Sequence, residues 1–117
     1  MNERIKVKKL NSYIYLLDDN REASGYLVLG EEKALVIDTM NGYEDLNAVV
    51  RKITDLPVMV VNTHGHPDHI CGNVYFDRAY MNPADLPVAE EFITDPQFVS
   101  NCRKNNLRMP EFSPIYH

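Results

Sequence analysis

No stretch of this chain of 117 residues approaches the roughly 20 consecutive apolar residues that a membrane helix requires, so no membrane partner is expected. The opening Met1-Asn2-Glu3-Arg4-Ile5-Lys6 carries charges with no apolar core behind them and does not read as a signal peptide. Only two cysteines are present, Cys71 and Cys102, too few for a disulfide framework, and a reducing cytoplasm is the simplest home. Positive charge is in the minority. With 12 Lys and Arg against 17 Asp and Glu the net charge is −5, which argues against the basic face of a nucleic-acid binder. There is no internal repeat and no low-complexity segment. Histidine is scarce as well, four in the chain, yet three of them fall within six consecutive residues.

What is present reads as globular. A hydrophobic share of 44% and a charged share of 25% are ordinary, and the length suits one core rather than two domains. Four short β-type runs come first: residues 5–10, with Ile5 and Val7 alternating with lysines, then 13–17, 26–29 and 34–37. Polar residues 18–22 and Gly30-Glu31-Glu32-Lys33 separate them, which predicts an antiparallel meander. Leu46, Val49, Val50 and Ile53 then form one helical stripe within residues 43–54, closed by Pro57. Val58-Met59-Val60-Val61 reads as a fully buried strand reached through that helix. Beyond it, residues 78–81 suit a short strand. Asn82-Pro83 and Asp95-Pro96 each mark a helix start. Leu86, Ala89, Phe92 and Ile93 give the first helix an apolar face, as Phe98, Val99 and Cys102 do the second.

The chemistry concentrates in His64-Gly65-His66-Pro67-Asp68-His69, directly after the apolar strand. Imidazole and carboxylate are preferred ligands of zinc and related divalent cations. Alternate spacing at His64, His66 and Asp68 lets an extended backbone send these side chains to one side. His69 follows where the chain can turn into a helix and approaches from another direction. Six residues thus offer two ligand sets, His64 with His66 and Asp68 with His69, an arrangement that suits two adjacent ions.

This segment, with the preceding Asn62-Thr63 and the following Gly72-Asn73, resembles the His-x-His-x-Asp-His signature of the metallo-β-lactamase-fold hydrolases. The resemblance implies an α/β fold of the αββα sandwich type, with residues 1–117 as the N-terminal part of one domain and the C-terminal half absent. The sheet would be mostly antiparallel, with helices on one face. It implies a dinuclear zinc hydrolase acting on a small-molecule ester, thioester or related bond. His64 and His66 would hold one zinc ion, Asp68 and His69 the other, and Asp68 would be catalytic by orienting the attacking water. The Asp-His pair differs from the diiron branch of the fold, which usually has a carboxylate at the position of His66. His69 differs from the antibiotic-degrading enzymes, which often have another residue there. Asn73 is similar to the residue at that place in glyoxalase-II-like thioesterases.

Asp38, in Val36-Ile37-Asp38-Thr39, matches an aspartate that family members carry at the end of an early strand. A carboxylate there can hold a ligating imidazole by its second nitrogen, or it can cap the turn before the 43–54 helix. Gly72 suits either close backbone packing or a plain turn. Cys71 reads as an inert buried thiol, with direct ligation as the alternative. Family members complete the site with a further His, a bridging Asp and a final His, whereas here no histidine occurs between His69 and His117, and His117 reads as a solvated chain end. The chain is therefore expected to be an incomplete part of a hydrolase. A binding or assembly module that keeps the motif without catalysis is the alternative, and a tRNA-processing nuclease of the same fold suits the acidic balance poorly. An uncovered inner sheet face, lined by residues 26–29 and 34–37, predicts a homo-oligomer.

Overall fold

The computed structural model describes residues 4–104, except for the side chains of Ile93 and Asn101. Six strands form a single sheet in chain order: β1 Ile5–Lys9, β2 Ile14–Asp19, β3 Ala23–Leu29, β4 Ala34–Ile37, β5 Val58–Asn62 and β6 Ala79–Met81. The first four are an antiparallel meander; β5 and β6 then add parallel to β4. The change of direction follows from the connections. Asn20 and Arg21, both with positive φ, make a tight turn between β2 and β3, closed by the Glu22 N–H donating to the Asp19 carbonyl at 2.9 Å. Parallel neighbours need a crossover, supplied first by helix α1 (Leu46–Arg51) and then by α2 (Pro67–Ile70) with the 3-10 turn Cys71–Tyr75. After β6, a 3-10 turn at Pro83–Asp85 leads into α3 (Leu86–Thr94) and α4 (Pro96–Lys104). Among the described residues no helix is long and apolar enough to cross a membrane.

The main core lies between α1 and one face of the sheet. Leu17, Leu27, Val36 and Val60 share that face through the strand register, and Leu46 and Val50 cover them. The helix is shorter than residues 43–54. The Asp45 carboxylate accepts the Ala48 N–H at 3.1 Å, so the cap sits two residues inside the expected start, and Lys52 closes the other end. Ile53 still packs on the core, because the turn after α1 continues its stripe.

One burial expectation is corrected. Val58–Val61 is not buried throughout, since Met59 is 44% exposed while Val60 is 1% exposed. The half-exposed first strand is found as expected at the sheet edge, where Ile5 is 7% and Val7 42% exposed. Strand alternation also divides the residues expected to line the open face. Leu27, Leu29, Ala34 and Val36 point to the α1 side, whereas Tyr26, Val28, Leu35 and Ile37 point away. With Leu16, Met59 and Val61 they make an apolar face on which no side chain is fully buried among the described residues.

Candidate metal centre

Strand β5 ends at Asn62, the chain bends at Thr63 and His64, and His66, with a φ of −73° and a ψ of 146°, precedes the first helical residue, Pro67. The single extended run expected to carry His64, His66 and Asp68 is therefore not formed. A proline at the first helical position has no N–H to lose and its φ suits the turn. The His66 ring makes no capping bond, and Asp68 and His69 follow on the first turn of α2. A change from extended to helical backbone thus delivers four donors from six residues.

The geometry brings the rings together. The His64 ring lies 4.0 Å from that of His69 and 4.7 Å from that of His66, centroid to centroid. Asp68 Oδ2 is 3.6 Å from His69 Nε2. The start of α3 closes against the motif at Gly65, where a Cβ would stand 2.7 Å from the Ala89 nitrogen and 2.8 Å from the Asp85 carbonyl oxygen. From α3, Phe92 meets the edge of the His66 ring at 5.5 Å.

Asp38 holds this group from behind. It sits just past β4, 5% exposed, with a φ of 66° that few residues other than glycine adopt. Its Oδ1 accepts the Thr63 N–H at 2.7 Å, and its Oδ2 accepts the Thr63 hydroxyl at 2.7 Å and lies 2.8 Å from His69 Nδ1. Asp38 therefore supports an imidazole; capping of α1 falls to Asp45. Thr63 Oγ1 in turn lies 2.9 Å from His64 Nδ1.

Below α2 lies a second buried polar group. The amides of Asn62 and Asn73 bond each other at 2.7 and 3.1 Å, and the Thr39 hydroxyl donates to Asn73 Oδ1 at 2.7 Å. The Asn62 amide and the Thr39 backbone N–H both donate to the His69 carbonyl oxygen, at 3.1 and 2.9 Å. Gly72 serves close packing rather than a turn conformation, since any Cβ there would collide with the Thr39 carbonyl oxygen. Asn73 is 3% exposed and spent on this network, so its similarity to the thioesterases says nothing about substrate. Asn73→Ala removes three buried hydrogen bonds and strands Asn62 Oδ1, while Thr39 and the Asn62 amide keep the His69 carbonyl oxygen, so it is expected to lower the unfolding free energy by about 2 kcal/mol. Urea denaturation checks this; an unchanged midpoint would show that the network contributes nothing.

Burial, with smaller effects of Cys102 and Asp68, pushes the Cys71 thiol up to about 12, so it stays protonated at neutral pH and is a poor ligand. His117 lies outside the described residues. Among the described residues, no three His, Cys, Asp or Glu side chains are placed to enclose one ion. The donor chemistry suits zinc, but the described residues complete no shell of three around one ion. The motif was legible in the sequence; the hydrogen-bonding roles of Thr63 and Thr39 and the close packing at Gly65 were not. The one local signal for Thr63 is a hydroxyl between a buried strand and the first histidine.

Comparisons with known proteins follow the same line. The profile described as the metallo-beta-lactamase superfamily matches residues 18–110. A metallo-beta-lactamase from Erythrobacter litoralis superposes with a TM-score of 0.65 at 18% identity, covering 78% of this chain and 47% of that one. The DIM-1 metallo-beta-lactamase gives 0.65 at 16%, covering 95% and 51%, and TMB-1 gives 0.65 at 14%, covering 99% and 54%. At such identities the likeness is one of fold. The chain spans about half the length of these structures. No curated protein matches it by sequence.

Proposed function

The chain belongs to the metallo-beta-lactamase superfamily, and from that premise we propose that it carries the metal-binding portion of a dinuclear zinc hydrolase acting on an ester, thioester or related bond. The observation that supports this best is the convergence of His64, His66 and His69 beside Asp68, with Asp38 behind them. In this reading His64 and His66 hold one ion, and Asp68 and His69 the other. Bound divalent cations would lower the pKa of a coordinated water toward neutrality and stabilise negative charge on the attacked group. Asp68, 47% exposed at its side chain, is free to accept a hydrogen bond from the attacking water and orient it. Asp38 fixes the His69 ring through Nδ1 and leaves Nε2 for the metal.

The second reading, a binding or assembly module without catalysis, is favoured by the lack of three ligands for one ion among the described residues. Catalytic zinc normally takes three from protein. The 117-residue chain is therefore expected to bind zinc weakly and to turn over thioester and ester substrates poorly, because open positions fall to water. Zinc titration with elemental analysis, paired with hydrolysis assays, tests both readings. Two tightly held ions with full turnover would mean that the site is complete as it stands. No zinc binding at all would remove the metal reading.

The open sheet face bears on assembly. Soluble monomers rarely leave an apolar patch of several strands in water, and two-fold pairing is the commonest closed solution. The chain is expected to self-associate through Tyr26, Val28, Ile37, Met59 and Val61. Light scattering at micromolar concentration decides it, a stable 13.5 kDa monomer being the contrary result.

A further inference from the structure

We propose that Thr63 is a positioning residue that relays the Asp38 carboxylate to His64, so that one carboxylate sets which ring nitrogen carries hydrogen in one histidine of each ligand pair. This rests on the metal-site reading above, and it follows from counting the hydrogens each group can give. A carboxylate accepts and does not donate, and a threonine hydroxyl has one hydrogen. Thr63 Oγ1 stands 2.7 Å from Asp38 Oδ2, so that hydrogen is spent on Asp38. Toward His64 Nδ1, at 2.9 Å, the hydroxyl offers only a lone pair, and the hydrogen of that contact must come from the ring. His64 is thereby held as the Nδ1–H form, with the Nε2 lone pair available to a metal.

The same count applies to His69. Its Nδ1 faces Asp38 Oδ2 at 2.8 Å and must be the donor, so its Nε2, the edge turned toward Asp68, is also left with a lone pair. Free neutral histidine in water favours the opposite form, so both rings are held away from their solution preference by the bond at the other nitrogen. The two histidines belong to different pairs, which means that the two ion positions share one support. Asp38 itself is clamped independently of the hydroxyl, since its Oδ1 accepts the Thr63 backbone N–H at 2.7 Å. Removing the hydroxyl therefore cuts the relay without freeing the carboxylate. His66 is outside the relay: the contacts seen for its ring are with His64 and Phe92.

The test compares Thr63→Val, Thr63→Ser and Asp38→Asn with the parent chain. Long-range proton–nitrogen NMR on the metal-free protein, at alkaline pH where imidazole is neutral, reads the hydrogen position in each ring. In the parent, His64 and His69 are both expected as Nδ1–H. Thr63→Val moves His64 toward Nε2–H and leaves His69 unchanged, and Thr63→Ser restores His64. Asp38→Asn tolerates the positive φ and places an amide donor where Oδ2 accepted, so both rings change form. Zinc competition titrations should show Thr63→Val weakened about 10-fold, with Thr63→Ser close to the parent. His64 found as Nε2–H in the parent, or unmoved in Thr63→Val, overturns the relay even if zinc binds. The expected ring forms in a protein that binds no zinc would leave the relay standing and remove the metal reading instead.

Discussion

Replacing Asp38 by alanine is expected to lower the unfolding free energy by about 3 kcal/mol and to weaken zinc binding at both ligand pairs by roughly 10- to 100-fold. The stability loss has two sources. Asp38 accepts three hydrogen bonds at a residue that is 5% exposed, and alanine leaves the Thr63 N–H and the His69 ring without their partner. A stranded group costs about 1–3 kcal/mol when buried, and Thr63, which is exposed, and His69, 24% exposed at its side chain, fall at the low end of that range. The backbone there has a φ of 66°, which aspartate and asparagine tolerate better than alanine. The loss in affinity follows from rings that are free to rotate and to take the wrong form. Asp38→Asn, which keeps the backbone preference, should recover most of the stability and little of the affinity. Chemical denaturation beside zinc titration separates the two effects. A stability loss below about 1 kcal/mol for the alanine variant would show that the buried carboxylate is not what holds the motif to β4.

Asp68→Ala is expected to do the reverse. Its side chain is 47% exposed, and the neighbouring His69 Nε2 is 3.6 Å away, too far for a hydrogen bond. Removing it strands nothing. The one structural loss is an acidic group on the first turn of α2, a short helix, so stability should change by no more than about 0.5 kcal/mol. As a proposed ligand and orienter of water, however, its loss should weaken one ion by roughly 100-fold or more, beyond what loss of a supporting group costs. One zinc should disappear from the stoichiometry, along with hydrolysis. Substantial unfolding with unchanged zinc binding would mean that Asp68 is a structural residue and that the second ion has other ligands. The contrast is informative because Asp38 and Asp68 lie on opposite sides of the same ring: one is buried and satisfied, the other open and unsatisfied.

Much of this chain was decided by local pattern. The extent of β4, Ala34–Ile37, the apolar stripe of α1, the proline-marked starts before α3 and α4, and the four donors of His64–His69 all follow from spacing within a few residues. Side-chain direction in extended and helical backbone is a local property, so the closeness of His64, His66, Asp68 and His69 was legible from their spacing. What the sequence left undecided are contacts between segments far apart in the chain. Asp38 meets His69 across 31 residues, Thr39 meets Asn73 across 34, and Gly65 meets the start of α3 only because the helices fold back over β5. Nor could period alone tell which alternate residues of β3, β4 and β5 would be covered, because α1 has the length to cover one face of the sheet and nothing among the described residues covers the other. The sequence determined which donor-type side chains stand together and at what spacing. The tertiary structure decided which carboxylate supports and which stays open, since burial and hydrogen-bond partners are properties of packed surfaces and not of neighbours along the chain.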